Sequence, residues 1–251
     1  MNDDFSPPKA SGYFRIKWYI DVAVVILTSP IIVPMILLFM LLVKLTSKGS
    51  AIYSQTRLSK DDKPFKIYKI RSMTVDAEPV NRAKWTARQD SRITFIGRIM
   101  RPLHLDELPQ IFNVLRGEMT VIGPRPERPE FVEKLSVEIP GYSYRTLVPP
   151  GLTGYAQLNL PSDTGLGDVR KKLAFDLEYI ERTTFWFDMR LLLGTACMVF
   201  PKRFFGNWPN RLCGIYRKAE DSPWAETIGI GIIDDSDKDT DSKLLRPYPE
   251  Q

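Results

Sequence analysis

The sequence predicts an α+β chain, helices with short β-hairpins, associated with a membrane through an N-terminal re-entrant helical hairpin. Three observations predict it. Val22 to Val43 is uncharged and interrupted by prolines. Residues 51–73 read as two extended stretches around a turn. Later segments repeat apolar residues at helical spacing.

Residues 1–12 are polar and proline-rich and are expected to be disordered. The run VAVVILTSPIIVPMILLFMLLV (22–43) is long enough to cross a bilayer. It is too long for the core of a signal peptide, and no convincing small-residue cleavage site follows it. Ser29-Pro30 and Pro34 interrupt it. Proline deletes a backbone hydrogen bond and clashes with the preceding turn, so a kink or break is expected near 29–34. Each half, about ten residues, is roughly half of a span. Arg15 and Lys17 precede the run, and Lys44 and Lys48 follow it. Lys and Arg favour the cytoplasmic side, so both ends are drawn to the same face. A re-entrant hairpin over 13–48 satisfies this; an ordinary kinked span is the alternative.

In AIYSQTRLSKDDKPFKIYKIRSM the turn-forming SKDDKP separates two strands. Period two places Phe65, Ile67, Lys69 and Arg71 on one face. Residues 76–92 are charged and read as a loop or short helix. Leu105, Leu108, Ile111, Phe112 and Leu115 recur at helical spacing. Pro109 confines the start of that helix to 106–107, with Asp106 as its N-cap and Gly117 as its stop. GPRPERP is a rigid turn, and VPPGLTGYAQLNLPSDTGLGD a loop long enough to be functional. Leu173, Leu177 and Ile180 mark another helix. Residues 185–200 form an apolar helix led by aromatics, suited to a membrane interface or to a core.

Composition narrows the partners. The chain is 43% hydrophobic, so it is not disordered as a whole, and its net charge of +5 is uneven. Residues 57–101 carry twelve Lys/Arg against five Asp/Glu, while 218–251 carry four against nine. A basic middle suits a polyanion, a phosphorylated small molecule or an anionic membrane. The acidic tail after about 217 is expected to be peripheral. Cys197 and Cys213 have no framework spacing, which excludes a disulfide scaffold and fits a reducing compartment.

The chemistry centres on LHLDELPQ. A carboxylate at a helix start feels the macrodipole and free N–H groups, which favour its ionised form. Asp106 reads either as a cap or as a group that attacks phosphorus or holds Mg²⁺. Mg²⁺ takes one or two carboxylates plus substrate phosphates, so Asp106 with Glu107 suffices. Lys69, Arg71, Arg101 and Arg125 are candidates to neutralise phosphate charge. Pro124 and Pro126 fix Arg125 and lower the entropy cost of a bidentate grip. His104 is either a proton relay or incidental. A membrane-anchored basic binding module and a Mg²⁺-dependent phosphatase remain as rivals, the first leaving the dyad unexplained.

FKIYKIRSM, LHLDELPQIFNVLRGEMTVIGPRP and PGLTGYAQLN occur in this order after the Ser-Pro-interrupted apolar segment. In these motifs the chain closely resembles the bacterial sugar transferase family, specifically the small monotopic polyprenyl-phosphate phosphoglycosyl transferases, from about Arg15 to Phe200. The resemblance implies a re-entrant membrane helix broken at Ser29-Pro30 and a catalytic domain over 49–200 on the cytoplasmic face of the inner membrane. Residues 201–251 then form a C-terminal extension. It also implies ping-pong transfer of a sugar phosphate from a UDP-sugar to polyprenyl phosphate, with Mg²⁺ as cofactor. Nucleic acid is not an expected partner, and homo-oligomerisation is left open. Asp106 takes the place of the nucleophile and Mg²⁺ contact, with Glu107 as its companion. Lys69, Arg101, Arg125 and Asp188 fall on the family's basic and late acidic positions. His104 stands where a small hydroxyl residue is usual, and Tyr155 where Trp is common. Both departures bear on sugar choice.

Overall fold

A computed structural model describes residues 6–74, 92–160, 165–197 and 214–230. The expected disorder of residues 1–5, the loop or helix at 76–91, and the C-terminal extension at 201–213 and beyond 230 lie outside the described residues. Residues 6–12 are irregular, and the Ser11 N–H donates to the Ile180 carbonyl at 3.1 Å.

Helix α1, Phe14–Thr46, is a single element of 33 residues with Pro30 and Pro34 inside it. The expected break into two helices is not shown. Pro30 has no N–H to give the Ile26 carbonyl four residues back. The Ser29 hydroxyl donates to that carbonyl at 2.8 Å instead. The Thr28 hydroxyl bonds the Val24 carbonyl at 2.8 Å. The Ser29 hydroxyl thus supplies a donor where the backbone ladder loses a rung. An 18-residue window of α1 has a mean hydropathy of 2.7, so α1 is long and apolar enough to cross a membrane.

Strands β1, Ile52–Leu58, and β2, Pro64–Ile70, form the expected antiparallel hairpin, from Ile52 opposite Ile70 to Leu58 opposite Pro64. Asp61 and Asp62 take left-handed conformations in its turn, which Asp tolerates better than most residues. Period two holds for buried Phe65 and Ile67. It then slips, because Ile70 turns inward beside Val43 of α1 and Met100.

Helix α2, Phe95–Met100, leads into a 3₁₀ turn, Arg101–Leu103, and then a 3₁₀ helix, Leu105–Gln110, that passes directly into α3, Ile111–Leu115. This corrects the predicted start. Asp106 is not an N-cap but lies in the first turn of the 3₁₀ helix, and left-handed His104 precedes it. Pro109 is kept out of an α-helical interior, because α3 starts only at Ile111 and the 3₁₀ helix before it carries the dyad. Gly117, in the left-handed conformation, follows the end of α3 as expected. The buried apolar face is also shifted: Ile111 and Val114 are inside, whereas Phe112 and Leu115 face out.

Strand β3, Thr120–Ile122, pairs in parallel with β4, Gly151–Thr153. Helix α4, Pro129–Glu138, and a 3₁₀ helix, Tyr142–Leu147, lie between them. The glycines of IGP and PGLTG are explained here. A Cβ on Gly151 would sit 2.1 Å from the Gly123 nitrogen, and one on Gly154 would sit 2.2 Å from the Gly123 carbonyl oxygen. The two backbones meet where no side chain fits. Gly151→Ala is therefore expected to destabilise the fold by about 2 kcal/mol or more, the cost of overpacking, as read by urea unfolding.

After α5, Tyr155–Asn159, helix α6, Leu166–Arg182, is buried nearly all round, including Lys172, Asp176 and Glu178. Helix α7, Phe185–Cys197, buries Asp188 and Leu191 yet leaves Trp186 73% exposed. It thus has both an inward and an outward apolar face. Residues 214–230, including helix α8, Ala225–Ile228, are not peripheral as expected. Ile215, Ala219 and Ile228 enter the core, and Arg217 pairs with Glu178 of α6.

Candidate active site

Three elements converge on the dyad. Buried Asn113 of α3 gives its side-chain amide to the Lys66 carbonyl at 2.8 Å, which ties the dyad's helix to β2. Lys69 then faces Glu107, Nζ to Oε1, at 2.8 Å. Arg125 reaches the same oxygen at 2.7 Å and donates to Oε2 at 3.4 Å.

The segment carrying Arg125 is held by its carbonyls, since Pro124 and Pro126 have no N–H to donate. The Pro124 carbonyl accepts from Gly151 N at 2.8 Å, that of Arg125 from Arg145 at 3.0 Å, and that of Pro126 from Arg57 at 3.2 Å. The Glu127 carbonyl accepts from Leu58 N at 3.1 Å. Four consecutive carbonyls are pinned, so the Arg125 side chain leaves a fixed backbone.

The two carboxylates differ. Burial opposes charge on Glu107, but the Arg125 guanidinium and Lys69 ammonium outweigh it and hold the carboxyl well below its usual range. Asp106 is 8% exposed and forms no ion pair among the described residues. Its described hydrogen-bond partner is the Ser72 hydroxyl, which approaches Oδ2 at a weak 3.4 Å. Burial, and then the Glu107 charge beside it, push the Asp106 carboxyl up; Lys69 and Arg101 oppose that rise. Lys69 is pushed down by burial despite Glu107. The site holds three cations, Lys69, Arg101 and Arg125, against two carboxylates. It can therefore admit an anionic substrate without expelling its own carboxylates.

Ser72 is itself placed by a close approach. The Thr94 N–H bonds the Ser72 carbonyl at 3.0 Å, and a Cβ on Gly97 would fall 2.1 Å from that carbonyl oxygen. Helix α2 thus seats directly on the residue that touches Asp106.

The structure brings Asp106, Glu107, Lys69 and Arg125 together, with Arg101 close enough to act on Asp106 electrostatically. It does not bring Arg71 or Asp188 to the dyad. Arg71 donates to the Ser47 hydroxyl at 2.7 Å and the Ser47 carbonyl at 3.2 Å, closing the C-terminal end of α1. Asp188, 1% exposed, takes Lys17 of α1 on one oxygen. Its other oxygen accepts from Tyr179 at 2.9 Å and Thr183 at 3.2 Å. Both residues fasten the apolar helix to the body. Half-buried Ser29 and exposed Pro30 lie within α1, between the core residues Val25 and Ile36.

Sequence reasoning missed Ser72, Asn113 and a buried charge cluster behind Arg125. In that cluster Lys172 meets Glu127 at 2.7 Å and Arg145 meets Asp176 at 2.8 Å. Its members are scattered over some fifty residues, with no local pattern to find.

A family model described as bacterial sugar transferase matches residues 12–202. The UDP-N-acetylgalactosamine-undecaprenyl-phosphate N-acetylgalactosaminephosphotransferase of Aeromonas hydrophila is 38% identical over 183 residues, 73% of this chain and 43% of that protein. A putative undecaprenyl-phosphate N-acetylgalactosaminyl 1-phosphate transferase of Bacillus subtilis is 49% identical over 137 residues, covering 55% and 76%. The UDP-glucose:undecaprenyl-phosphate glucose-1-phosphate transferase of Caulobacter vibrioides is 39% identical over 184 residues, covering 72% and 68%. The chain spans less than half the length of the Aeromonas relative.

Proposed function

The chain belongs to the bacterial sugar transferase family, and on that premise we propose that it transfers a sugar 1-phosphate from a UDP-sugar to polyprenyl phosphate, releasing UMP. The observation that carries the reading is the asymmetry of the dyad. Glu107 is saturated by two cations, while buried Asp106 has no ion pair among the described residues. A carboxylate left unpaired and more basic than usual is suited to attack.

In the first step an Asp106 carboxylate oxygen bonds to the β-phosphorus of the UDP-sugar. The bond from that phosphorus to the bridging oxygen breaks, and UMP leaves with the electron pair. In the second, a polyprenyl phosphate oxygen attacks the same phosphorus and frees Asp106, giving the lipid diphosphate sugar. Lys69, Arg101 and Arg125 stand where charge builds on the transferring group. Glu107 holds Lys69 and Arg125 in register. Two steps through a covalent intermediate replace one encounter between two anions.

Mg²⁺ fits this donor set. Glu107 is committed to its cations, so Asp106 is the carboxylate that would hold the ion together with the donor's phosphate oxygens. When bound, the ion would neutralise phosphate charge.

The membrane reading rests on where α1 touches the body. Lys17 near its start pairs with Asp188, and Val43 near its end packs with Ile70 and Met100. A straight helix of this length is about 50 Å long, so a spanning helix would carry one end away from a domain on the other side. Contact at both ends supports a helix that enters and returns at one face. The outward side of its midsection, with Leu27 81% exposed, would lie in lipid, while Val25 and Ile36 pack into the core. Phe95, Ile99, Phe112, Leu115 and Trp186 are exposed apolar side chains suited to the interface. The basic flanks support a setting of that face on the cytoplasmic side of the inner membrane.

UMP release measured over a panel of UDP-sugars, with and without polyprenyl phosphate, tests the reading. Release that yields lipid-linked sugar phosphate is expected. Steady hydrolysis with water as sole acceptor, or no release from any donor, would refute it.

A further inference from the structure

We infer that Arg145 is a positioning residue for the transfer reaction, acting through the Arg125 backbone; the inference rests on the transferase reading. Its guanidinium is buried, and every hydrogen bond it makes crosses to a different neighbour. Nε donates to Asp176 of α6 at 2.8 Å, Nη1 to the Tyr142 hydroxyl at 2.7 Å, and Nη2 to the carbonyl of Arg125 itself at 3.0 Å. Arg145 thus runs from the most deeply buried helix to the residue whose side chain grips Glu107.

The neighbouring carbonyls, Pro124 and Glu127, are pinned by backbone N–H groups of strand residues. The Arg125 and Pro126 carbonyls between them depend on side chains, Arg145 and Arg57 respectively. If the Arg145 bond is lost, the peptide carrying the Arg125 guanidinium loses its own anchor and is held only through its neighbours. The 2.7 Å Arg125–Glu107 contact then becomes one of several arrangements. Glu107 would hold only Lys69 firmly, and its charge would be left less compensated beside Asp106. Lysine cannot replace the arrangement, because a single ammonium lacks the separated guanidinium donors that reach the three acceptors.

The test is a cycle of four full-length proteins in membrane or detergent: wild type, Arg145→Lys, Arg125→Ala and the double variant. UMP release is followed with the best donor of the panel. Arg145→Lys is expected to lower kcat/KM by about tenfold or more in the wild-type background, and by less than about threefold where Arg125 is already Ala. An equal fold-loss in both backgrounds, or no loss in either, would overturn the inference, since a merely structural role lowers both alike. If Arg145→Lys does not fold, Asp176→Asn takes its place in the cycle. It loosens the anchor without removing a donor, and the same non-additivity is expected.

Urea unfolding of the four proteins gives an answer that needs no substrate. The midpoint shift caused by Arg145→Lys should be smaller when Arg125 is Ala, because the Glu107–Arg125 pair is part of what the substitution loosens. Should wild type release no UMP from any donor, the functional reading fails and the unfolding cycle decides the role of Arg145. Equal midpoint shifts would then reject it.

Discussion

Asp106→Asn is expected to cut UMP release by at least about a thousandfold, as loss of a nucleophile does, while leaving the fold at least as stable as wild type near pH 7. The two halves of that result come from one property. Burial and the Glu107 charge raise the Asp106 carboxyl above its ordinary value of 3.8. The folded chain therefore binds this proton more tightly than the unfolded chain does. Holding the group ionised at neutral pH costs stability, and a neutral isostere relieves that cost. A variant that unfolds early would mean that Asp106 has a structural partner. A variant within about tenfold of wild-type activity would mean that another group attacks.

The second large effect concerns Glu107. Glu107→Ala would leave Lys69 and Arg125 facing each other across the space their shared carboxylate occupied. Loss of one member of a largely buried ion group costs about 3 kcal/mol, towards the lower end of the range because Arg125 is partly open to water. A fall in kcat/KM of about a hundredfold or more should accompany it, since both cations lose their register. The pH dependence has a definite sign. The folded-state pKa of Glu107 lies below its ordinary value of 4.5, so Glu107 stabilises the fold above that pH. The contribution is lost as pH falls below about 4.5 toward the folded value. Glu107→Gln should therefore flatten the acid limb of the stability curve, and an unchanged limb would show that other carboxylates set it.

Much of this site was legible because its key residues are contiguous or lie in regular elements. Asp106 and Glu107 are adjacent, Lys69 sits on a strand bounded by a clear turn, and Arg125 is marked by flanking prolines. The hairpin followed from SKDDKP. What was misread has physical causes. Asp106 was expected at an N-cap because Pro109 bars an α-helical interior, yet the α-helix starts after the proline, at Ile111, and a 3₁₀ helix carries the dyad. Ser29 was expected to mark a break, but its hydroxyl satisfies the carbonyl that Pro30 orphans. Arg71 was a candidate for its charge and Asp188 for its family position, and the sequence did not reveal that both are buried against α1.

Strands β3 and β4 escaped notice because each has three residues and their pairing is parallel, across a gap of about thirty residues. Lys172, Asp176 and Arg145 escaped for a related reason. On a helix or loop, a charge reads as a solvated face unless its partner is known. The acidic composition beyond 217 hid Ile228, which reaches the core.

The central claim is a covalent link between the sugar phosphate and Asp106. Purified protein incubated with UDP-sugar and Mg²⁺, without polyprenyl phosphate, should gain the mass of one sugar phosphate by intact mass spectrometry. That adduct should disappear when acceptor is added and should be absent from Asp106→Asn. Lipid-linked product formed at the wild-type rate while the enzyme's mass never changes would contradict the account.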